Sequence, residues 1–467
     1  MRYRIEKDSL GELKVPAEVY YGIQTLRGKD NFDITKRGIS RQMLKALVIV
    51  KKAAAKANND ADLLDDKVTK HILLACDEIL NGRLHGQFVT DLIQGGAGTS
   101  MNMNANEVIA NRANEMLGGN RGVYEYVHPL DHVNKSQSTN DVIPTAGKIA
   151  LIKQLKKLIT ELKKLYNALL DKAKEFDSFI KIGKTHLQEA VPIRLGQEFN
   201  AYATALNKDI KKLDASIDAL SEVNMGATII GTSINTNPKY LKKIIYYLKK
   251  FSGEELKISK DLIDSTRNFD SFAFTSSNLK ITAMNLSRLA SDLRLLCSDG
   301  VNEIILPIVQ PGSSITPAKY NPVILEMVNQ VAFYIMGLDV TVSAAVEAGQ
   351  LGLNVFSPII LMSLFDGIST LRRAARTLRE KSIEGLRVDT NANKDIEHNV
   401  SFATVITSYV GHDKACEIAA EAIKTNKTVK EIVIEQGLFT KEEAEVIFNI
   451  YDMTNVGKDI KDDNTKE

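Results

Sequence analysis

The stretch at residues 151–169, LIKQLKKLITELKKLYNAL, predicts a long helix packed in a bundle. Its leucines recur at alternating intervals of four and three residues, with lysines and a glutamate among the positions between them. This spacing places one apolar stripe along a helix, as in the seam of a coiled-coil-like bundle. The leucines of the stripe are Leu151, Leu155, Leu158, Leu162, Leu165 and Leu169.

Four other segments carry helical apolar patterns. Residues 199–220 and 279–293 each show a single apolar stripe, whereas residues 323–348 and 354–379 are apolar on more than one face. A helix that is apolar on most sides must be surrounded by protein. We therefore predict an all-α fold with a central five-helix bundle, and an oligomer as the cover for its remaining apolar surface.

Shorter elements flank the bundle segments on both sides and predict three domains. Residues 1–140 form a mostly helical N-terminal domain, residues 141–395 the bundle, and residues 396–467 a small helical C-terminal domain. In the last of these, Thr440 followed by Glu443 predicts a capping box at a helix start. The charged end of the chain, GKDIKDDNTKE, predicts a disordered tail.

Composition and charge exclude several classes of protein. The 467 residues include 60 basic and 58 acidic side chains, so no basic footprint for nucleic acid stands out. The three cysteines lie far apart and in no metal-binding spacing, which fits a reducing compartment. The N-terminus lacks the apolar region of a secretory signal, and no uninterrupted apolar run reaches membrane-spanning length. We therefore expect a soluble, cytoplasmic protein.

The polar segment QPGSSITPAKYNPVILE, at residues 310–326, has the composition of a reactive loop. Its prolines and Gly312 exclude a helix interior in the first half, and Pro322 favours a helix start. Two hydroxyls, a lysine and an amide lie between these points: Ser313, Ser314, Lys319 and Asn321. Taken alone, the same residues also suit a surface loop whose serines cap a helix.

Three further segments are rich in short hydrogen-bonding side chains. Residues 95–107 read GGAGTSMNMNANE and suit either a close backbone approach to a ligand or a glycine-rich lead into a helix. Residues 136–141, SQSTND, suit carboxylate binding or an exposed capping loop. Residues 181–196 are predicted as a loop, with a histidine that suits proton transfer or a structural role. The candidate residues in these segments are Thr99, Ser138, Thr139, Asn140, Thr185 and His186.

The pattern Gly-Ser-Ser-x-x-Pro-x-Lys-x-Asn-Pro resembles the signature loop of the fumarase/aspartase superfamily. The three other polar segments, the opening run VPAEVYYGIQTLRGKDNF and the C-terminal run from residue 410 resemble the same superfamily. The details resemble its aspartase branch, because Lys135, Thr139 and Ala318 differ from the residues usual in fumarases.

The resemblance implies an ammonia-lyase that converts L-aspartate reversibly to fumarate and ammonia, without a metal or organic cofactor. The mechanism would be β-proton abstraction through an enediolate intermediate, with Ser313 as the base. It also implies a homotetramer in which each active site combines segments from different subunits. In that arrangement Asn140 and His186 lie toward the amino group, and the remaining residues bind the two carboxylates: Thr99, Ser138, Thr139, Thr185, Ser314, Lys319 and Asn321.

Some residues depart from the superfamily pattern and leave the substrate open. Thr316, Tyr320 and Leu325 stand where the family usually has Met, Val and Pro. Leu130 stands where an Asn is common, in a region associated with a secondary carboxylate site in fumarases. The alternatives are therefore a class II-type fumarate hydratase, a lyase for a substituted aspartate, and a binding protein that has lost turnover.

Overall fold

The computed structural model describes residues 2–390 and 396–455, and the described chain is predominantly helical. Its helices, in chain order, are α1 Ile23–Asn31, α2 Arg41–Asp60, α3 Asp66–Leu80, α4 Thr99–Met116, α5 Thr139–Glu175, α6 Leu195–Leu220, α7 Pro238–Ser252, α8 Leu262–Arg267, α9 Asp270–Leu296, α10 Val323–Glu347, α11 Ser357–Leu378, α12 Ala403–Val410, α13 His412–Thr425, α14 Val429–Glu435, α15 Lys441–Ile447 and α16 Ile450–Met453.

The described strands form four small sheets of two strands each. Three pairs are antiparallel: β1 Tyr3–Asp8 with β2 Gly11–Pro16, β3 Ile180–Thr185 with β4 Gln188–Arg194, and β7 Ile304–Ile305 with β8 Arg387–Val388. The fourth pair, β5 Glu222–Val223 with β6 Lys257–Ile258, is parallel. The all-α prediction is therefore confirmed for the main architecture, with short strands added between helices.

The five longest helices of the described chain are α5, α6, α9, α10 and α11, at the positions that the apolar patterns predict. All six leucines of the α5 stripe are completely buried. The leucine stripe is the surface through which α5 packs against the rest of the protein. The spacing of four and three residues was therefore enough to locate the helix.

Helix α10 exposes several of its large apolar side chains. Phe333 is 62% exposed and Val340 is 69% exposed. By length and composition alone α10 could cross a membrane, although only 33% of its most apolar window is buried and core helices pass the same test. We did not expect a membrane-length segment from the sequence, since Glu326 and Asp339 interrupt the apolar run.

The described chain divides into two compact units. The first contains the residues up to 161 together with 209–284 and 331–373. In it, α2 packs against α3 and α7, and α4 packs against α1 and α3. The second contains residues 162–208, 285–330 and the described residues from 374 onward.

The C-terminal helices of the second unit share a small apolar core. Ile406, Ile418 and Ile432 are completely buried there, and Ile182 of β3 packs into the same core. The predicted capping box is confirmed: Thr440 accepts the Glu443 backbone N–H at 3.1 Å, and the Glu443 side chain accepts the Thr440 N–H. The predicted disordered tail lies outside the described residues.

The predicted loop at residues 181–196 is instead a β-hairpin up to residue 194, and Leu195 and Gly196 begin α6. Strands β3 and β4 are joined by a tight turn at His186 and Leu187, whose φ angles are 54° and 60°. Two-residue hairpin turns with positive φ at both positions usually contain Asn-Gly or Asp-Gly, which relieve the strain of that conformation. The sequence prediction was wrong because a His-Leu pair gives no such signal.

Candidate active site

Thr99 is the first residue of α4 and follows a glycine with a left-handed backbone. Gly98 has φ 89°, and a Cβ atom there would lie 3.2 Å from the Ile143 side chain of α5. The Thr99 hydroxyl donates to the Gly96 carbonyl at 2.6 Å and lies 3.3 Å from the Thr139 hydroxyl. A glycine at position 98 therefore allows the hydroxyls at the starts of α4 and α5 to approach each other.

The run Ser138 to Asn140 forms the start of α5. The Ser138 hydroxyl accepts the Asn140 backbone N–H at 3.2 Å, and the Asn140 side-chain amide donates to the Ile229 carbonyl at 2.7 Å. The structure thus brings Thr99, Ser138, Thr139 and Asn140 together in the first unit. Helix N-termini carry partial positive charge, so two helix starts with hydroxyl donors suit a carboxylate ligand.

Asp141 attaches this group of residues to a neighbouring segment. Its completely buried carboxylate accepts the backbone N–H groups of Ser138 at 3.0 Å and of Gly226 and Thr228 at 3.1 Å. Burial raises the pKa of Asp141 to about 6, against the opposing effects of the N–H donors and of the Lys51 ammonium. A change in the charge of this carboxylate would therefore act directly on the Ser138 backbone.

Lys51 supports the same region from α2. Its completely buried ammonium donates to Asn134 Oδ1 and Gln137 Oε1, both at 2.9 Å. Burial lowers the pKa of Lys51 to about 7, and the charge of Asp141 opposes that shift. Sequence analysis missed Lys51 as a site residue, although a lysine on the otherwise apolar stripe of α2 is a signal that could have identified it.

Thr185 and His186 lie at the tip of the β3–β4 hairpin, in the second unit. Both side chains are exposed, and the adjacent Leu187 is 70% exposed. Positive φ angles at His186 and Leu187 are unfavourable for residues with a Cβ atom, and such strain is most often found at functional sites. The hairpin thus presents a histidine and an apolar side chain outward on a constrained turn.

Ser313 lies in the second unit, and its hydroxyl is surrounded by backbone donors. Its Oγ accepts the N–H groups of Thr316 at 2.8 Å and of Ile315 at 3.2 Å. Hydrogen bonds of this kind stabilise negative charge on an oxygen atom. The arrangement therefore suits a serine that acts in its alkoxide form.

The Ser313 loop is closed by two hydrogen bonds at Gly312. The Gly312 N–H donates to the Lys319 carbonyl at 3.0 Å, and Asn321 Nδ2 donates to the Gly312 carbonyl at 2.5 Å. A Cβ atom at position 312 would lie 2.3 Å from the Lys319 carbonyl oxygen. Only glycine fits this closure.

A cavity of about 1140 Å³ adjoins the loop within the second unit. Lys319 and Asn321 line it, as do Thr316 and Tyr320, two of the positions that depart from the superfamily pattern. Arg294 also contributes a cation to its wall. Lys381 is a third cation of the lining, and three carboxylates balance the cations: Asp299, Glu326 and Asp389. The cavity therefore offers charged groups of both signs beside amide and hydroxyl groups, which suits a small polar ligand.

The predicted site residues thus form three local groups: the starts of α4 and α5, the hairpin tip, and the Ser313 loop. The first group belongs to one compact unit and the other two belong to the second. Among residues 2–390 and 396–455, no group of three or more His, Cys, Asp or Glu side chains is placed to hold a metal ion.

Comparisons with known proteins identify the family. A family model described as Lyase matches residues 11–337, and one described as Fumarase C C-terminus matches residues 402–455. The aspartate ammonia-lyase of Bacillus subtilis (strain 168) is 47% identical over 459 residues, which cover 97% of each chain. That of Helicobacter pylori (strain J99) is 44% identical over 451 residues, covering 95% of this chain and 96% of its own.

Solved structures agree with the sequence relatives. The crystal structure of a fumarate lyase:delta crystallin from Brucella melitensis, bound to cobalt, has a TM-score of 0.93 at 44% identity and covers 97% of this chain and 100% of that one. The class II fumarase of Schistosoma mansoni has a TM-score of 0.94 at 31% identity, with 98% and 100% covered. The chain therefore belongs to the fumarase/aspartase superfamily of lyases.

Proposed function

We propose that this chain catalyses the reversible elimination of ammonia from L-aspartate to give fumarate. The observation that carries the chemistry is the Ser313 hydroxyl, which accepts two backbone N–H groups in a loop closed at Gly312. The substrate follows from relatives that are 44% to 47% identical over nearly the whole chain and are named aspartate ammonia-lyases.

The difficult step is removal of a proton from the carbon beside the side-chain carboxylate of aspartate. That proton is weakly acidic, and its loss turns the carboxylate into a doubly charged enediolate. Ser313 Oγ, as the alkoxide, takes the proton, and the N–H groups of Ile315 and Thr316 stabilise the alkoxide beforehand. The C–N bond then breaks, its electron pair leaves with ammonia, and the electrons of the enediolate form the double bond of fumarate.

The remaining site residues bind and orient the substrate. Hydroxyl donors gather the side-chain carboxylate, where charge develops in the transition state. They are Thr99, Ser138 and Thr139 at the starts of α4 and α5, together with Ser314 of the Ser313 loop. Lys319 and Asn321 bind the second carboxylate with help from Thr185, while Asn140 and His186 face the amino group. Support for these roles comes from the cluster at the starts of α4 and α5 and from the position of Lys319 and Asn321 in the wall of the cavity beside the loop.

We also propose a homotetramer whose active sites combine the three groups of residues from different subunits. Two features favour it: the hairpin tip presents His186 outward, and α10 exposes Phe333, Tyr334 and Val340. Exposed apolar side chains on a long helix favour burial against a second helix. Sedimentation combined with an activity assay tests the proposal, because a fully active monomer would contradict it. We further propose the three-domain division at residues 140 and 395 and a cytoplasmic location.

The substrate is tested by following the ultraviolet absorbance of fumarate with L-aspartate and, separately, with L-malate. We expect fumarate from L-aspartate alone. Fumarate from L-malate alone would make the chain a fumarate hydratase, an activity named for a structural neighbour at 31% identity. Fumarate from neither would exclude both activities and direct the search to substituted aspartates, because Thr316 and Tyr320 line the cavity.

The role of Ser313 is tested by Ser313→Ala with Ser408→Ala as the matched control. Ser408 is an exposed serine on α12 of the second unit, outside the lining of the cavity. Loss of the base should reduce turnover by at least a thousandfold without a change in the oligomer. Near-normal turnover by Ser313→Ala would exclude serine as the base.

A further inference from the structure

Glu303 is a buried carboxylate that joins two of the functional segments. It is 2% exposed and lies directly before β7, which leads into the Ser313 loop. Its Oε2 forms an ion pair with the Lys181 ammonium, and its Oε1 lies 2.7 Å from the Lys184 ammonium. Both lysines belong to β3, the strand that ends in the turn bearing His186. All of these residues lie in the second unit.

Both lysines reach one carboxylate although they lie three positions apart on β3. Residues three apart in a regular strand point to opposite faces of the sheet. The pairing is irregular between them: Ile182 pairs with Pro192 and Lys184 with Glu189, so two residues of β4 lie opposite Gly183 alone. The strands are close at this point, because a Cβ atom on Gly183 would lie 3.2 Å from the Val191 carbonyl oxygen. The ammonium groups of both lysines end at the carboxylate of Glu303.

The backbone of Glu303 is fixed independently of its side chain. Its N–H donates to the Leu296 carbonyl at 2.9 Å, and its carbonyl accepts the Asp389 N–H at 3.0 Å. The next residue, Ile304, pairs with Val388 in the β7–β8 sheet. The carboxylate therefore projects from a backbone that is hydrogen-bonded on both sides of the residue.

We propose that Glu303 is a positioning residue that fixes the hairpin tip relative to the segment leading into the Ser313 loop, so that one chain presents both segments correctly to the composite sites of the oligomer. The inference rests on the proposed function, because it matters for turnover only if Thr185, His186 and Ser313 serve the reaction. Lys181 is 1% exposed and is also 3.1 Å from Glu198, so loss of Glu303 leaves two ammonium groups with one carboxylate. Breaking a buried ion pair from one side is strongly unfavourable, and the exposed tip is the part of the hairpin that can shift in response. Misplacement of a substrate-binding group by about 1 Å can reduce a rate a hundredfold.

The first test compares Glu303→Gln with the control Asp292→Asn. Asp292→Asn also removes a carboxylate charge from this unit. The Asp292 carboxylate, however, accepts the Tyr202 hydroxyl of α6 at 3.1 Å and not a lysine of the hairpin. We expect Glu303→Gln to lower kcat/KM at least tenfold and the control to change it less than twofold. Lys184→Met, which keeps the buried Lys181 pair, should lower it at least threefold and serves if Glu303→Gln fails to fold. Wild-type kcat/KM in both Glu303→Gln and Lys184→Met would overturn the proposal.

A double-mutant cycle separates positioning from general stability. If Glu303 acts through the hairpin tip, Glu303→Gln should lower kcat/KM much less in a His186→Ala background than in the wild type. Equal losses in both backgrounds would mean that Glu303 does not act through His186, and the positioning role would be excluded.

Hydrogen exchange tests the same idea without any activity. Glu303→Gln should speed amide exchange at the hairpin, residues 184–188, and across the loop, residues 306–320, while Asp292→Asn should not. Unchanged exchange in both segments would refute the proposal even in an active enzyme. If Glu303→Gln speeds exchange but the wild-type chain makes no fumarate, the positioning role of Glu303 is supported and the proposed function is refuted.

Discussion

Gly312→Ala should reduce catalysis without destabilising the protein. The added methyl group would lie 2.3 Å from the Lys319 carbonyl oxygen and 2.6 Å from the Asn321 nitrogen, both of them backbone atoms. Because backbone atoms cannot rotate away, the loop must open at this point. Opening removes two hydrogen bonds, the Gly312 N–H to the Lys319 carbonyl and the Asn321 amide to the Gly312 carbonyl.

The size of the effect follows from those two bonds. Each contributes about 1 kcal/mol, so the closed loop loses about 2 kcal/mol relative to open conformations. This corresponds to about a thirtyfold fall in the population of the closed loop, and kcat/KM should fall by a similar factor. The thermal midpoint should change little, since the loop around Ser313 is largely exposed.

The assay is fumarate formation from L-aspartate, with Gly86→Ala as the matched control. Gly86 has no positive φ, and nothing lies within 4 Å of a Cβ atom built there. We expect the control to match the wild type in both kcat/KM and thermal midpoint. Retention of wild-type kcat/KM by Gly312→Ala would refute the idea that closure at Gly312 organises the base.

Three other predictions concern separate parts of the molecule. Lys51→Met should lower kcat/KM about tenfold, because Gln137 Oε1 loses its donor. The folded-state pKa of Lys51, about 7, is below the unfolded value of 10.5, so the charged lysine destabilises the fold most below pH 7 and least above pH 10.5. Denaturant unfolding should therefore show Lys51→Met losing stability relative to the wild type as the pH rises from 7 to 10.5; a constant difference would contradict this. Thr440→Ala should lower the free energy of unfolding of the C-terminal helices by about 1 kcal/mol, whereas Thr440→Ser should keep the cap. Phe333→Asp should dissociate the oligomer and abolish activity together, as sedimentation and the fumarate assay would show; an active tetramer would exclude α10 as an interface.

Local sequence signals account for the features that were predicted correctly. The leucine spacing at residues 151–169 predicted the buried face of α5, although the helix itself runs from Thr139 to Glu175, and Thr440 with Glu443 predicted the start of α15. The superfamily and the ammonia-lyase reading, inferred from the signature loop, are confirmed by the relatives. In each case the residues that determine the outcome lie within a few positions of one another.

Features that depend on distant residues were not predictable in this way. Lys51 bonds to Gln137, 86 positions along the chain, and Lys184 pairs with Glu303, 119 positions along. A single sequence shows only that such lysines are charged, so the default interpretation is a solvated surface position. The buried partner that changes this interpretation becomes visible only when the fold brings the two segments together.

The same distinction applies to the candidate site itself. The donors on Ser313 come from residues two and three positions later, so backbone stabilisation of this serine was open to prediction from the loop alone. The environment of His186 could not be predicted from the sequence, because its turn carries no hairpin signal and its side chain is exposed. If the composite-site proposal holds, the partners of His186 belong to another subunit, and no property of one chain's sequence or fold identifies them. Mixing Ser313→Ala subunits with His186→Ala subunits tests this directly, because sites that draw the two residues from different subunits give mixed tetramers more activity than either variant has alone. Absence of that gain in verified mixed tetramers would place both residues in the same subunit's site.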